Sequence, residues 1–506
     1  MPPRPRRAVH GAAGLALCLT LTAASAAAQD VTLSARDGGL SLEGTLLAYD
    51  GAHYRVQTAF GPLTLAADGV LCEGPGCPDL TAPVAEIAIA GAPGPAARLL
   101  PVLIADYAAA EGLSARREGA LVRLTDAEGA DQTRLRLQRA PSDTGLLALM
   151  AGTADLALSV AELRDASVVA RVVALDAFVP VLGRGNPVAD IGLDDLTAVL
   201  SGKVDNWAEL GWLDAPIALH ALAADSAVQM ALEAALLAPD DLGHAPATRH
   251  ADAAALIAAV AADPFALGVA LWSEVSAAPR PPARPALTDG CGLVLEATPL
   301  AIKAEDYPLT LPLLLHLRAG RQPLALRRLA AHMTGPAAQA AIRAAGFVDQ
   351  APEALPLQAQ GNRLASAVLA ADPEMGLEGL QRLVRALQGT ERLSTTFRFE
   401  PGTADLDVAS RGNVTLLARA LEAGLHDGRT LVFAGFTDGQ GGFALNRRLS
   451  QERAEAVRDA VRAAAPLIAA DRVTLEAEGF GPAMPMACDD TDAGRRINRR
   501  VEVWLR

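Results

Sequence analysis

The chain has 506 residues, too many for one ordinary domain at roughly 100 to 200 residues each, so several cores are expected. Half of it is apolar, a fifth is charged and only 4% is aromatic, which excludes a disordered chain, a collagen-like chain and a small disulfide scaffold. The formal charge is −14 and Lys203 and Lys303 are the only lysines, so nonspecific nucleic-acid binding is excluded and anionic membrane surfaces are disfavoured.

Residues 1–28 read as a secretory signal. Arg4, Arg6 and Arg7 form a basic start, 11–21 an apolar core, and Ala26-Ala27-Ala28 a small-residue cleavage site before Gln29. Removing the three arginines takes the charge from −14 to −17. Leu17, before Cys18, is too large for a lipoprotein box. No later stretch reaches the roughly 18 apolar residues of a membrane-spanning helix, so an exported, soluble product is expected. Thiols pair in the oxidising compartment such a protein meets. Cys72 and Cys77 flank the turn-rich Glu-Gly-Pro-Gly and are expected to form a local disulfide. Cys291 and Cys488 either pair across two domains or stay apart as buried thiols.

Residues 29–82 alternate apolar and polar positions between Asp37-Gly38, Asp50-Gly51 and Asp68-Gly69, which predicts a small all-β module. From 83 to 350 short apolar strands, at 86–90, 171–175, 178–182 and 267–272, alternate with amphipathic helices, one carrying Leu99, Leu103, Ile104 and Tyr107. Such alternation predicts a mostly parallel α/β sheet in two lobes. Residues 351–392 read as a helical linker. Residues 393–506 give strand, helix, strand, helix, strand and a last strand at 500–504, a compact α/β sandwich. The fold class is therefore multi-domain and mainly α/β.

In that last domain Asp438 lies just past a strand, in a loop with Gly439, Gly441 and Gly442 that feeds a helix; free amides at such an entry hold anions. Asn446, Ser450 and Arg453 follow at i, i+4 and i+7, one stripe with an amide, a hydroxyl and a guanidinium. Leu445, Leu449, Ala456 and Ala460 mark the neighbouring stripe expected to pack inward. A carboxylate at the loop mouth and a guanidinium two turns on suit a zwitterion.

The run AGFTDGQGGFALNRRLSQERAEAV resembles the OmpA-like peptidoglycan-binding domain, with Thr437-Asp438, Asn446, Leu449-Ser450 and Arg453-Ala454 at its spacing. The opening FEPGTADL and the closing Asn498-Arg499-Arg500-Val501 resemble it too. The resemblance implies a periplasmic, peptidoglycan-associated protein gripping the diaminopimelate of stem peptides. Its binding residues would be Thr437, Asp438, Asn446, Ser450, Arg453 and Arg499, with Asp438 taking the ammonium, and Arg453 and loop amides the carboxylate. Phe436 stands where the family has histidine, which removes one secondary contact.

Residues 83–350 resemble the PstS-like phosphate-binding fold, through Asp176-Ala177-Phe178-Val179-Pro180, Asn186-Pro187-Val188, the run from Ile191 to Trp207, Asp306-Tyr307-Pro308 and Gly346-Phe347-Val348. The oxyanion contacts are largely missing. Gly91-Ala92-Pro93-Gly94 lacks hydroxyls and its proline lacks an amide donor, Leu222 stands for an arginine, and Val160 for an acid. Ser142, Thr144 and Ser226 remain as candidate ligand hydroxyls. A dianion without partners would be costly to bury. The expectation is a degenerate oxyanion site for a small anionic or neutral solute, or a surface for an envelope protein partner; the alternative is a phosphate or other oxyanion receptor of an ABC importer. No hydrolase elbow, zinc-protease helix, C-x-x-C pair or P-loop is present, so no catalysis, metal or cofactor is expected.

Overall fold

The computed structural model describes residues 31–506 apart from 37, 50–52, 75, 78–83, 92–93, 140–141, 243–244, 321, 370–373, 401–402, 404 and 470. The expected signal peptide thus lies outside the described residues. The chain divides into two compact units, before and after the junction of Ala82 and Pro83.

The first unit is a five-stranded antiparallel sheet, with Gly61–Ala66, His53–Thr58, Ser41–Tyr49, Val31–Ala35 and Val70–Glu73 side by side in that order. Alternation along His53–Thr58 buries Tyr54 and Val56 against Val31, Leu33 and Leu46. A disulfide joins Cys72 to Cys77, with Cα atoms 5.7 Å apart, and closes the turn after the last strand.

The second unit holds a ten-stranded sheet, a separate five-stranded one and a small three-stranded one of Asp190–Gly192, Ala286–Thr288 and Val294–Leu295. The larger sheet is mixed rather than mostly parallel. Ala85–Gly91 lies parallel to Leu156–Ser159 and Asp131–Arg139, and Ala218–Leu222 parallel to Ala266–Leu271 and Thr248–His250. Between the two groups runs the strand Val168–Leu182, where the sequence suggested two short ones. Its first half pairs antiparallel with Thr310–Arg318 and its second half with Ala266–Leu271. Two lobes result, with separate cores joined by this strand. One core gathers on the helix Pro95–Ala110 through Leu99, Leu103, Ile104 and Tyr107; the other surrounds Phe178, Leu196, Trp207 and Leu256.

The smaller sheet runs Ala354–Pro356, Glu391–Arg398, Arg500–Leu505, Thr430–Phe436, Thr474–Gly479. Alternation along Thr430–Phe436 sends Leu431 and Phe433 to the face covered by the helices Val408–Glu422 and Phe443–Ala464, and Val432, Ala434 and Phe436 to the other. That other face is covered by Leu383 and Leu387 of the helix Gly376–Leu387 and by Ala367 of Gly361–Leu369. The segment 351–392 therefore does not lie apart as a linker. It supplies an edge strand and two helices, because the sheet has two apolar faces and both must be covered.

The C-terminal sheet also packs on both lobes. Val408 and Ala409 enter the core of the distal lobe, formed mainly by residues 177–305. Arg392 grips Asp306 with two bonds of 2.6 and 3.0 Å, and Arg398 donates to the Glu305 carbonyl at 2.6 Å. On the proximal lobe Arg164 reaches Glu400 at 2.9 Å. Behind Arg392 the fully buried Glu502 accepts from Arg363 at 2.5 Å, Arg500 at 2.7 Å and Trp504 Nε1 at 3.1 Å. Burial pushes the Glu502 carboxyl up, but the guanidiniums of Arg363, Arg392 and Arg500 outweigh it and hold it far below the ordinary carboxylate range.

A buried histidine marks the proximal lobe. His316, on Thr310–Arg318, is fully buried and its Nε2 accepts the Leu163 amide at 3.2 Å, which requires a neutral ring. Burial holds it down to about 4. The unfolded chain, with an ordinary value near 6.5, therefore takes up a proton that the folded chain refuses. The stability it contributes is fully present above about pH 6.5 and is lost as pH falls towards 4. Between pH 7 and 5 the wild type should lose about 2 kcal/mol that a His316→Gln variant does not, read by urea unfolding at both pH values.

Candidate functional site

The C-terminal site sits where Thr430–Phe436 ends and the helix Phe443–Ala464 begins. That helix approaches the sheet so closely that side chains have no room. A Cβ on Gly435 would lie 2.0 Å from the Ser450 carbonyl oxygen, and one on Gly479 2.3 Å from the Gln451 amide nitrogen. The inward stripe is consequently Asn446, Ser450, Ala454, Val457 and Val461, and the expected inward pair Leu445 and Leu449 is exposed instead.

This packing changes the roles of two expected ligand contacts. Ser450 is fully buried, donating to the Arg447 carbonyl at 2.8 Å and accepting the Gly481 amide at 2.9 Å. Asn446 donates to the carbonyls of Gln440, at 2.9 Å, and Gly441, at 3.5 Å, shaping the loop from within. Phe436 points into the core, stacked on Phe480 at 5.7 Å beneath the Arg500 guanidinium, so the position of the family's histidine faces away from this site.

Thr437, Asp438, Arg453 and Arg499 remain. Arg499 Nη1 donates to Asp438 Oδ2 at 2.6 Å. Arg453 lies over the Phe399 ring at 5.0 Å, and its Nε and Nη1 are buried without a hydrogen-bond partner among the described residues, as is the Thr437 hydroxyl. Burial first, and then the charge of Arg499, push the Arg453 guanidinium down, with Asp438 opposing them. A buried donor left unmatched costs about 1 to 3 kcal/mol, more when charged, so these orphan groups call for an anionic acceptor.

Between the lobes of the central domain lies a cavity of about 800 Å3. Gly94 and Arg98 line it from the proximal lobe, and Ser226, Ile257 and Glu274 from the distal one. Of the two expected hydroxyls that are described, Ser226 lines it. Thr144 is exposed elsewhere, and the Ser142 side chain, like Ala92-Pro93, lies outside the described residues. Sequence reasoning missed the charged groups that line it, Arg98, Arg184, Asp252, Glu274 and Arg280. Arg98 spends its guanidinium on Ser273 Oγ and carbonyl, both at 3.1 Å, and on the Ala345 carbonyl at 3.4 Å. Glu274 has a buried Oε2 without a partner among the described residues, and burial, then the charge of Asp176, raise its carboxyl to about 7. Arg98 lies one turn into a helix that reads as core, so only tertiary placement singles it out.

Among the described residues no three His, Cys, Asp or Glu gather into a metal-binding group, and no helix is long and apolar enough to cross a membrane. Of the scattered histidines His244 lies outside the described residues. His250 stacks on His220 of the adjacent strand, with ring nitrogens 2.8 Å apart.

Two family models match. The PBP superfamily domain covers residues 105–334 and the OmpA family residues 398–499. Over 139 residues the chain is 34% identical to the outer-membrane lipoprotein YfiB of Pseudomonas aeruginosa, covering 79% of that protein and 26% of this one. The chain belongs to the OmpA family. This OmpA-family chain is also 36% identical over 107 residues to the probable lipoprotein YiaD of Escherichia coli, 21% of its own length, and spans only 46% of that relative. Among solved structures, the ABC-type phosphate transport receptor from Vibrio cholerae is similar at 20% identity and a TM-score of 0.42, covering 52% of this chain and 99% of the receptor. PstS from Borrelia burgdorferi is similar at 15% and 0.39, covering 52% and 98%.

Proposed function

We propose that this is a non-enzymatic cell-envelope protein that binds peptidoglycan noncovalently through diaminopimelate and presents a two-lobed solute-binding domain. The OmpA domain and its lipoprotein relatives support envelope and peptidoglycan association, and the PBP-like domain fits a binding role. The observation that carries the finer reading is the group of unmatched donors, Arg453 Nε and Nη1 with Thr437 Oγ1, close to the Asp438 carboxylate. A zwitterionic amino-acid centre answers both signs. Its carboxylate takes the Arg453 and Thr437 donors, and its ammonium displaces Arg499 from Asp438. Two charge-assisted bonds give a gross 3 to 6 kcal/mol, roughly millimolar for one stem peptide, and the density of sites on a wall polymer makes that sufficient for retention. Cosedimentation with purified sacculi tests it, and unchanged sedimentation of both Asp438→Ala and Arg453→Ala would refute it.

The central cavity, within the roughly 300 to 1,000 Å3 of small-molecule sites, suits an organic solute better than a bare oxyanion. Arg98 and Arg184 are committed to protein acceptors, Arg280 stands with Asp252 and Glu274 on the same lining, and Glu274 would repel a dianion when ionised. Inorganic phosphate at millimolar concentration is therefore expected to leave the melting temperature unchanged. A clear rise would favour the importer-receptor reading.

A further inference from the structure

The distal lobe reaches into the C-terminal site through the hairpin of Ala286–Thr288 and Val294–Leu295. At its tip Asp289 accepts the amides of Cys291, at 3.1 Å, and Leu293, at 2.9 Å, on one carboxylate oxygen. The other oxygen accepts the Cys488 amide at 2.7 Å. Cys291 and Cys488, 197 residues apart in sequence, are joined by a disulfide with Cα atoms 5.4 Å apart, so the pairing left open by the sequence crosses between domains.

Asp489 follows at once. Its Oδ2 accepts the Gly439 amide at 2.6 Å, its Oδ1 accepts Asn498 Nδ2 at 2.7 Å, and its carbonyl accepts Arg495 Nη1 at 2.6 Å. Gly439 is the neighbour of Asp438 and Asn498 the neighbour of Arg499, the two members of the ion pair at the wall site. One carboxylate therefore holds the backbone next to the acid and the residue next to the base, and that carboxylate is chained to the distal lobe by the residue before it.

We infer that Asp489, fixed by the Cys291–Cys488 bridge, is a positioning residue for the wall site, so that the distal lobe of the solute-binding domain sets the geometry of peptidoglycan recognition. The inference rests on the diaminopimelate reading proposed above. With the bridge intact, the Asp489 carboxylate locks the loop of Asp438 at one separation from Arg499. Without it, the turn around Cys488 keeps the 2.7 Å bond from its amide to Asp289 and the local bonds from the Met486 and Ala487 amides to Asn498 Oδ1, at 2.7 and 3.1 Å, but no covalent tie to the distal lobe, so Asp489 leaves Gly439 more readily.

The test uses the full chain and a soluble stem tetrapeptide containing meso-diaminopimelate, titrated by calorimetry, with hydrogen exchange at the Gly439 amide read in parallel. The double variant Cys291→Ser/Cys488→Ser and, separately, Asp489→Ala are each expected to weaken binding roughly threefold to thirtyfold and to speed exchange at Gly439. Asp489→Asn keeps one acceptor for that amide but sets a second donor against Asn498 Nδ2, so it should restore exchange protection at Gly439 more fully than affinity. Adding Asp489→Ala to the serine pair should cost little more, since both act through one contact. Wild-type affinity and exchange in the serine pair would overturn the inference, as would full additivity. If the wild type fails to bind the peptide, the diaminopimelate reading falls, while exchange at Gly439 still decides whether the bridge holds the loop.

Discussion

Arg453→Ala should release the protein from purified sacculi. Its Nε and Nη1 are buried by the Phe399 ring without an acceptor among the described residues, and the Asp438 charge that favours it is paired with Arg499, so a ligand carboxylate supplies the acceptor those donors lack. Loss of a charge-assisted contact costs about 1.5 to 3 kcal/mol, roughly ten- to a hundredfold in affinity. Lysine is a poor substitute, since it cannot present two parallel donors to a carboxylate. Asp438→Ala should fall as far by the other route, because the ligand ammonium loses its acceptor and Arg499 is left without its partner. Because both residues bind one ligand centre, the double variant should lose less than the sum of the two single losses. The stability of Arg453→Ala should change little, since a half-buried guanidinium with unmatched donors is removed together with its packing on Phe399, and urea unfolding separates that effect from the loss of binding.

Glu502→Gln is expected to be among the most damaging single changes to stability. The carboxylate is fully buried and faces Arg363, Arg500 and, at 3.5 Å, Arg392. Neutralising it leaves several buried guanidiniums facing one remaining acid, Asp306. Breaking a buried ion pair by removing one partner costs about 3 to 5 kcal/mol, and here one removal affects three partners. Chemical denaturation at neutral pH measures it; a loss under about 1 kcal/mol would mean that water or a rearranged acid replaces the carboxylate.

The legibility of this chain follows the range of the interactions. Strands and helices of the C-terminal domain are set by alternation and by 3.6-residue periodicity, both local, and the elements appear within a few residues of their expected places, apart from the short helix Asp492–Asn498. The positions of Asp438 and Arg453 were equally readable, because a strand end and the next helix are neighbours in sequence. Ser450 and Asn446 share a helical stripe with Arg453, yet serve the loop and the sheet. That difference comes from the depth at which Gly435 and Gly479 admit the helix, which periodicity does not encode. The Arg98 and Glu274 cleft groups and the Cys291–Cys488 bridge join residues from 176 to 197 positions apart, and nothing in the sequence near either partner announces the other.

The segment 351–392 folds into the C-terminal sheet instead of spacing it from the lobes, and this has a mechanical consequence. A receptor on a flexible leash samples a volume fixed by leash length, and its partners meet it at an effective concentration that falls as the leash grows. Here the leash is spent on an edge strand and two covering helices, and Arg392, Arg398 and the disulfide fasten what is left. The mouth of the cavity would then stand at one height and one orientation above the wall that the last domain grips, so anything that docks on it meets a mount, with no swing to average over.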